Sequence, residues 1–173
     1  TYFKPGKEIQ TSLPDYFVSS IAQSNDDKIW VATTKGVSVI EPDVNNTFSI
    51  KSFTYLEEKL QGLSGLRTDA IHCDHDGNIW IGTATDGLNK LNPSTGNFEY
   101  FIYKENEAAS LSSNKINFLF EDSRKQLWIG CSGSGLDLYN PSENNFTHYS
   151  IKDGLPSNEI TGMAEDRKGT LWL

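Results

Sequence analysis

Residues 74–78, Asp-His-Asp-Gly-Asn, are the stretch of this chain most like a cation site. A calcium loop of that type needs its glycine at the sixth position and a Glu at the twelfth. Here the glycine is fourth and the twelfth residue is Thr85. The same slot elsewhere in the chain reads Ser-Asn-Asp-Asp-Lys, Asp-Ser-Arg-Lys-Gln and Asp-Arg-Lys-Gly-Thr. A slot that takes Lys and Arg at ligand positions is a hairpin turn, so neither a metal nor a cofactor is expected. Cys73 and Cys131 lack the spacing of a metal site and are too few for a disulfide framework, so they are expected to be free thiols. His72, His75 and His148 occupy different, non-recurring positions. The 23 acidic residues are what an acidic surface carries. A glycosidase would need two of them at a defined separation, and a sequence does not show one. No catalytic residue is assigned.

The elements that must position any site are set by a repeat. Trp30, Trp80, Trp128 and Trp172 succeed one another at intervals of 50, 48 and 44 residues. Six residues before each stand Ser24, Asp74, Asp122 and Asp166; nine before, Ile21, Ile71, Leu119 and Met163; seventeen before, Leu13, Leu63, Leu111 and Leu155. After the tryptophan, Gly36, Gly87 and Gly135 open a further run, each six residues ahead of Pro42, Pro93 or Pro141, with Phe48, Phe98 and Phe146 beyond.

Within one repeat the pattern reads strand, turn, strand, then a third strand closed by proline and a fourth rich in aromatics. No segment carries a helical period. Four short strands per repeat of this length is the signature of a β-propeller blade. A sandwich of about fifteen strands would not need every hairpin written the same way. The chain is therefore expected to be all-β, a partial propeller of about three and a half blades. The repeats fall at 13–53, 63–103 and 111–150, with an incomplete one at 155–173 and residues 1–4 as the last strand of a preceding blade. Sheets are expected over 19–53, 68–103 and 114–150, each with its tryptophan buried on the second strand. Ala32, Gly82 and Gly130 are expected to allow close backbone approach. Both ends then lie mid-blade, so the remaining blades of a longer chain, or another copy of this one, are expected as partners.

Net charge is −8 with no basic stripe, which argues against nucleic acid and against an anionic membrane surface. No apolar stretch reaches the length of a membrane span.

Repeats also separate scaffold from what is free to vary. In a propeller the loop from strand four to the next strand one shares a face with the turn from strand two to strand three. In the first loop the varied pairs are Tyr16–Phe17, Leu66–Arg67, Asn114–Lys115 and Asn158–Glu159. The second turn carries Lys35, Thr85–Asp86 and Gly133–Ser134. Aromatic faces, amides and charges suit a sugar's C–H surfaces, hydroxyls and acidic groups. The alternative is that these are ordinary loop residues, with Asn114 and Asn158 closing Asx turns.

At Gly-Asn-Ile-Trp-Ile-Gly-Thr-Ala-Thr-Asp-Gly-Leu-Asn-Lys-Leu-Asn-Pro (residues 77–93) and Gly-Leu-Pro-Ser-Asn-Glu-Ile (residues 154–160) the chain resembles the two-component regulator propeller repeat. The resemblance spans essentially the whole chain. The first repeat departs by Ala32 in place of Gly and by one residue fewer before Gly36. The resemblance implies the periplasmic sensor region of a Bacteroides-type hybrid two-component receptor. Such a receptor's membrane helix, histidine kinase and DNA-binding output lie outside this sequence, so contact with a membrane would come only through those parts. It also implies oligosaccharide ligands, released from dietary or host glycans. A propeller glycoside hydrolase or lyase and a protein–protein scaffold are the competing readings.

Overall fold

The computed structural model describes residues 12–42, 48–55 and 62–173. The strand expected over residues 1–4 lies outside them. Each complete repeat is one antiparallel sheet whose strands lie side by side in chain order. The first blade is β1 (Val18–Gln23), β2 (Ile29–Thr33), β3 (Gly36–Pro42) and β4 (Phe48–Phe53). The second is β5 (Thr68–Cys73), β6 (Ile79–Thr83), β7 (Leu88–Asn92) and β8 (Asn97–Phe101). The third is β9 (Ile116–Glu121), β10 (Leu127–Cys131), β11 (Gly135–Asn140) and β12 (Asn145–Tyr149). A 3₁₀ turn, Ile151–Asp153, leads to the two-stranded pair β13 (Ala164–Glu165) and β14 (Leu171–Trp172). The expected sheets agree with these bounds to within two residues. Prolines 42 and 93 stand at or just beyond the end of the third strand, where a missing N–H breaks no ladder.

The blades stack through their first strands, β1 on β5 and β5 on β9. A sheet covered on both faces must be apolar along its whole second strand rather than on alternate residues, and all five residues of β6 are buried. Gly82 is required by this stacking. A Cβ there would come within 2.5 Å of the Ile116 side chain. The intruder at Gly82 is a side chain of the next blade's first strand, and at Gly130 it is the Phe118 ring of the paired strand in the same blade, so at these two glycines the expected close backbone approach is replaced by side-chain approach.

The tryptophans pack forward. Trp30 shares a core with Ile79, Ile81 and Leu91 of the second blade, and Trp80 with Leu127 and Ile129 of the third. Tyr139 of the third blade also meets Trp80 edge-on at 4.8 Å. Trp30 and Trp80 are accordingly 2% and 1% exposed. Trp128, expected to be largely buried, is only half-buried. The third blade is succeeded, among the described residues, by the pair β13–β14, too narrow to present the face that covers the other two. Trp172, on β14, is 62% exposed. The opposite face of the stack shows the converse. Ile71 and Ile116 are buried against the blade before them, whereas Val18 and Ile21 on β1 are exposed.

Candidate functional site

One end of each complete blade is a frame of backbone hydrogen bonds. The turn between strands two and three bonds its own blade's entry loop, Thr34 N to Phe17 O, Ala84 N to Arg67 O and Ser132 N to Lys115 O. The turn glycine then bonds the loop leading into the following blade, Gly87 N to Asn114 O and Gly135 N to Asn158 O. Gly87 has φ +83°, and a Cβ on it would strike Phe101 O, so only glycine closes this turn. The expected face therefore exists, and all nine candidate residues lie on it, grouped by seam rather than converging on one point.

Their side chains divide into two kinds. Asn114 and Asn158 are engaged in the frame: their Oδ1 atoms accept from Tyr103 N at 2.7 Å and Ile151 N at 2.9 Å. These are loop-closing bonds, the structural alternative to ligand contact. Asp86 touches Thr85 Oγ1 at 2.7 Å, and its carboxylate lies where a side chain on Gly65 would stand. Glu159 bridges seams, accepting from Asn117 Nδ2 and Ser132 Oγ, both at 3.2 Å. The others project. Tyr16 and Phe17 are 75% and 73% exposed. Arg67 pairs with Asp69 at 2.9 Å and Lys35 approaches Asp15 at 3.7 Å, both cations largely in solvent. Lys115 is exposed. Asp15 was not expected here. It accepts from Thr34 Oγ1 and Tyr16 N, both at 2.6 Å, and the Thr34 hydroxyl is the main reason its carboxyl lies below the usual range.

The residue two beyond the turn glycine is a second unforeseen anchor. Asn89 and Asp137, both fully buried, accept from Ser64 N and Ser112 N at 2.8 Å, fixing the loop leucines Leu63 and Leu111. In the first blade the matching loop residue is Pro14, which has no N–H to offer. Ser38 stands there and bonds Ser52 Oγ at 2.7 Å instead. A serine, an asparagine and an aspartate at one repeat position could have been read from the sequence as a polar anchor.

Two groupings have the residue types of catalysis. Cys131 Sγ lies 3.3 Å from Asp137 Oδ2, and His148 Nδ1 lies 2.7 Å from Asp137 Oδ1. The carboxylate sits between thiol and imidazole, so the histidine cannot take the thiol's proton. Burial pushes the Cys131 thiol up, and it pushes the Cys73 thiol up to about 12. These are thiols held neutral. At the other end of the blades, Glu121 accepts from His75 N at 3.1 Å and lies 2.6 Å from His75 Nδ1, with His72 Nε2 at 3.6 Å. One blade on, Glu165 does the same for Ser123, accepting from its N at 2.7 Å and its Oγ at 2.6 Å. The position is a repeated clasp between blades, seven residues before Trp128 and Trp172. Among the described residues no three His, Cys, Asp or Glu side chains group as a metal would require. In the calcium-like stretch, Asp74 spends its carboxylate on Asn78 N and Trp80 Nε1, both at 2.7 Å.

The sequence profile of the two component regulator propeller family matches residues 12–35, 62–85, 110–133 and 154–173, together more than half of the chain. The chain belongs to this family. Each of the first three matched segments runs from the loop leucine through the tryptophan strand to the next turn, which is the loop frame and the stacked core described above, and the fourth runs from the loop leucine through Trp172. Among solved structures, this propeller is similar to the extracellular domain of a proposed hybrid two component system from B. thetaiotaomicron, at 23% identity and a TM-score of 0.79. That match covers 99% of this chain and 24% of the other. A second B. thetaiotaomicron extracellular domain, assigned to a one component system, aligns at 20% identity and a TM-score of 0.77 over the same shares. Virginiamycin B lyase from Staphylococcus aureus aligns at 14% identity and a TM-score of 0.64, covering 93% of this chain and 50% of the lyase. The chain thus spans about a quarter of the length of these two B. thetaiotaomicron domains. No curated protein matches it. Among the described residues no helix is long and apolar enough to cross a membrane.

Proposed function

We propose that this propeller segment is a non-enzymatic, ligand-sensing part of the extracytoplasmic, periplasmic region of a two-component receptor, and that its loop face contacts an oligosaccharide. The kinase of the parent and its remaining blades belong to the same proposal. The observation that carries it is the contrast within the loop face. The backbone there is fixed by the frame, while Tyr16, Phe17, Arg67, Lys35 and Lys115 project from it into solvent. A rigid base with projecting aromatic and cationic groups binds a sugar at low ordering cost. Stacking falls to Tyr16 or Phe17, and an acidic sugar's carboxylate or sulfate to Arg67, Lys35 and Lys115.

The same exposed Tyr16, Phe17 and Leu66 also fit a protein-docking face, and one experiment separates the two. Calorimetry with uronate-containing and sulfated oligosaccharides on the full ectodomain should give saturable heat. Replacing both Arg67 and Lys115 by Ala should weaken it about tenfold or more without lowering the melting temperature. No heat with any fragment, or heat unchanged in the double variant, would overturn the sugar reading.

A further inference from the structure

We propose that the cleft between the first two blades, at the end opposite the loop face, binds a neutral, hydroxyl-rich ligand of monosaccharide size through the indole N–H of Trp30. In the second blade, Trp80 Nε1 donates to Asp74 Oδ2 at 2.7 Å; in the third, Trp128 Nε1 to Asp122 Oδ2 at 3.1 Å; in the fourth, Trp172 Nε1 to Asp166 Oδ2 at 3.2 Å. The first blade has Ser24 at this position. Its side chain is shorter by one bond, and its hydroxyl is turned to Asp26 Oδ1 and Lys28 O. Trp30 is only 2% exposed, and its Nε1 has no partner among the described residues. A buried donor in this state has lost its water without replacement, a cost that an oxygen acceptor entering from outside would recover.

There is a place for that acceptor. Ser24 and Trp30 line a cleft of about 290 Å³, closed on its other sides by Asp26, Asp76, Asn92 and Pro93. That is room for one sugar ring and not for a chain. The charges choose its class. Lys28 is held between Asp26 and Glu41, at 3.0 Å each, and Asp26 is spent on Lys28 and the Ser24 hydroxyl, so the charge open to the cleft among the described residues is the Asp76 carboxylate, 70% exposed and 3.3 Å from His75 Nε2. An anion would be repelled. A hydroxyl can accept from Trp30 and donate to Asp76, and Pro93 gives apolar surface to the ring's C–H face. This site is independent of the loop face.

The test monitors the indole N–H signals of the full chain in ¹⁵N–¹H spectra, with the Trp30 signal identified by its loss in Trp30→Phe. The probes are glucose, galactose, mannose and N-acetylglucosamine, with acetate and glucuronate as the anionic arm. At least one neutral sugar should shift the Trp30 signal while leaving the three aspartate-bonded indoles in place. Ser24→Asp supplies the missing acceptor from within, so it should weaken that binding at least about tenfold and raise the melting temperature. Asp76→Ala, on the exposed rim, should weaken binding with the fold intact, whatever the fate of the Ser24 variant. Replacing Arg67 and Lys115 by Ala should leave the Trp30 shift unchanged. If no neutral sugar moves the Trp30 signal, if only the anions move it, or if Ser24→Asp and Asp76→Ala both bind as tightly as the parent, the site is not there.

Discussion

The first and second blades carry the same tryptophan in the same register and treat it differently. Trp80 pairs with His72 and Lys90 across its sheet, and Trp30 with Ala22 and Val39. Both rings are covered by the next blade along. Trp80 also has its N–H latched by Asp74 from within its own blade, whereas Trp30 has only Ser24, whose hydroxyl faces elsewhere. Two functions of one residue are thus supplied from two sources. Burial comes from the next blade and hydrogen bonding from the same blade. Trp172 is the complementary case, latched by Asp166 yet exposed. The latch therefore forms without the cover, and at Trp30 the cover forms without the latch.

The largest effect should come from removing the cover's occupant. Trp80→Ala should cost about 3–5 kcal/mol in urea unfolding, as a large deletion in a filled core. Trp172→Ala, at an uncovered position, should cost a small fraction of that. Equal losses at the two sites would show that the latch, and not the packing, holds the ring.

Exchanging the latches should have the next largest effect. Asp74→Ser copies the first blade into the second. It takes the charge-assisted partner from a buried indole and from Asn78 N, and should cost about 1.5–3 kcal/mol. Ser24→Asp makes the reverse change and should stabilise by about 1 kcal/mol. If both substitutions destabilise, the first blade's cleft is built around serine and the two blades are not interchangeable there.

Most of the fold was legible in the sequence because the repeat states each strand three times. The tryptophan spacing placed β2, β6 and β10, and the glycine-to-proline interval placed β3, β7 and β11. The degree of burial was less legible. Trp128 has aliphatic neighbours in sequence like those of Trp80, but its exposure depends on the blade beside it. For the nine loop-face residues, position could be read from the repeat and employment could not. Asn114 and Asn158 look as available as Lys115 until the bonds to Tyr103 N and Ile151 N are seen. The clasps at Glu121 and Glu165 and the anchors at Ser38, Asn89 and Asp137 were readable in principle, since each is a polar residue at a fixed offset. A search for invariant positions passes over the anchors because their identity changes while their role persists.

The anchors also differ in a way that pH can expose. Asn89 is neutral, while Asp137 at the same place holds His148, whose Nδ1 lies 2.7 Å from the carboxylate and whose Nε2 lies 2.8 Å from Ala108 O. Only the imidazolium has two N–H donors, so only the charged ring satisfies both acceptors. The Asp137 hydrogen bond accordingly raises the His148 pKa above its ordinary value of 6.5, against the opposing effect of burial. A pKa raised by folding means that the folded state holds this proton more tightly. The stabilisation is fully present below about 6.5 and is lost as pH rises through the folded value. Asp15, Asp26 and Asp166 have lowered pKa values. Their contribution is present above about 3.9 and fades only in acid, so the pH ranges over which the two contributions are lost do not overlap. The urea midpoint of the parent should therefore fall between about pH 6 and 8 relative to that of His148→Gln, which has no proton to lose. Substituting Asn89, the anchor without a histidine, should leave this pH-dependent fall in place. In the parent, the His148 ring resonance should titrate above 6.5. A parent midpoint that tracks the Gln variant across this range would show that His148 is held as the neutral ring, with one of its two contacts unmade.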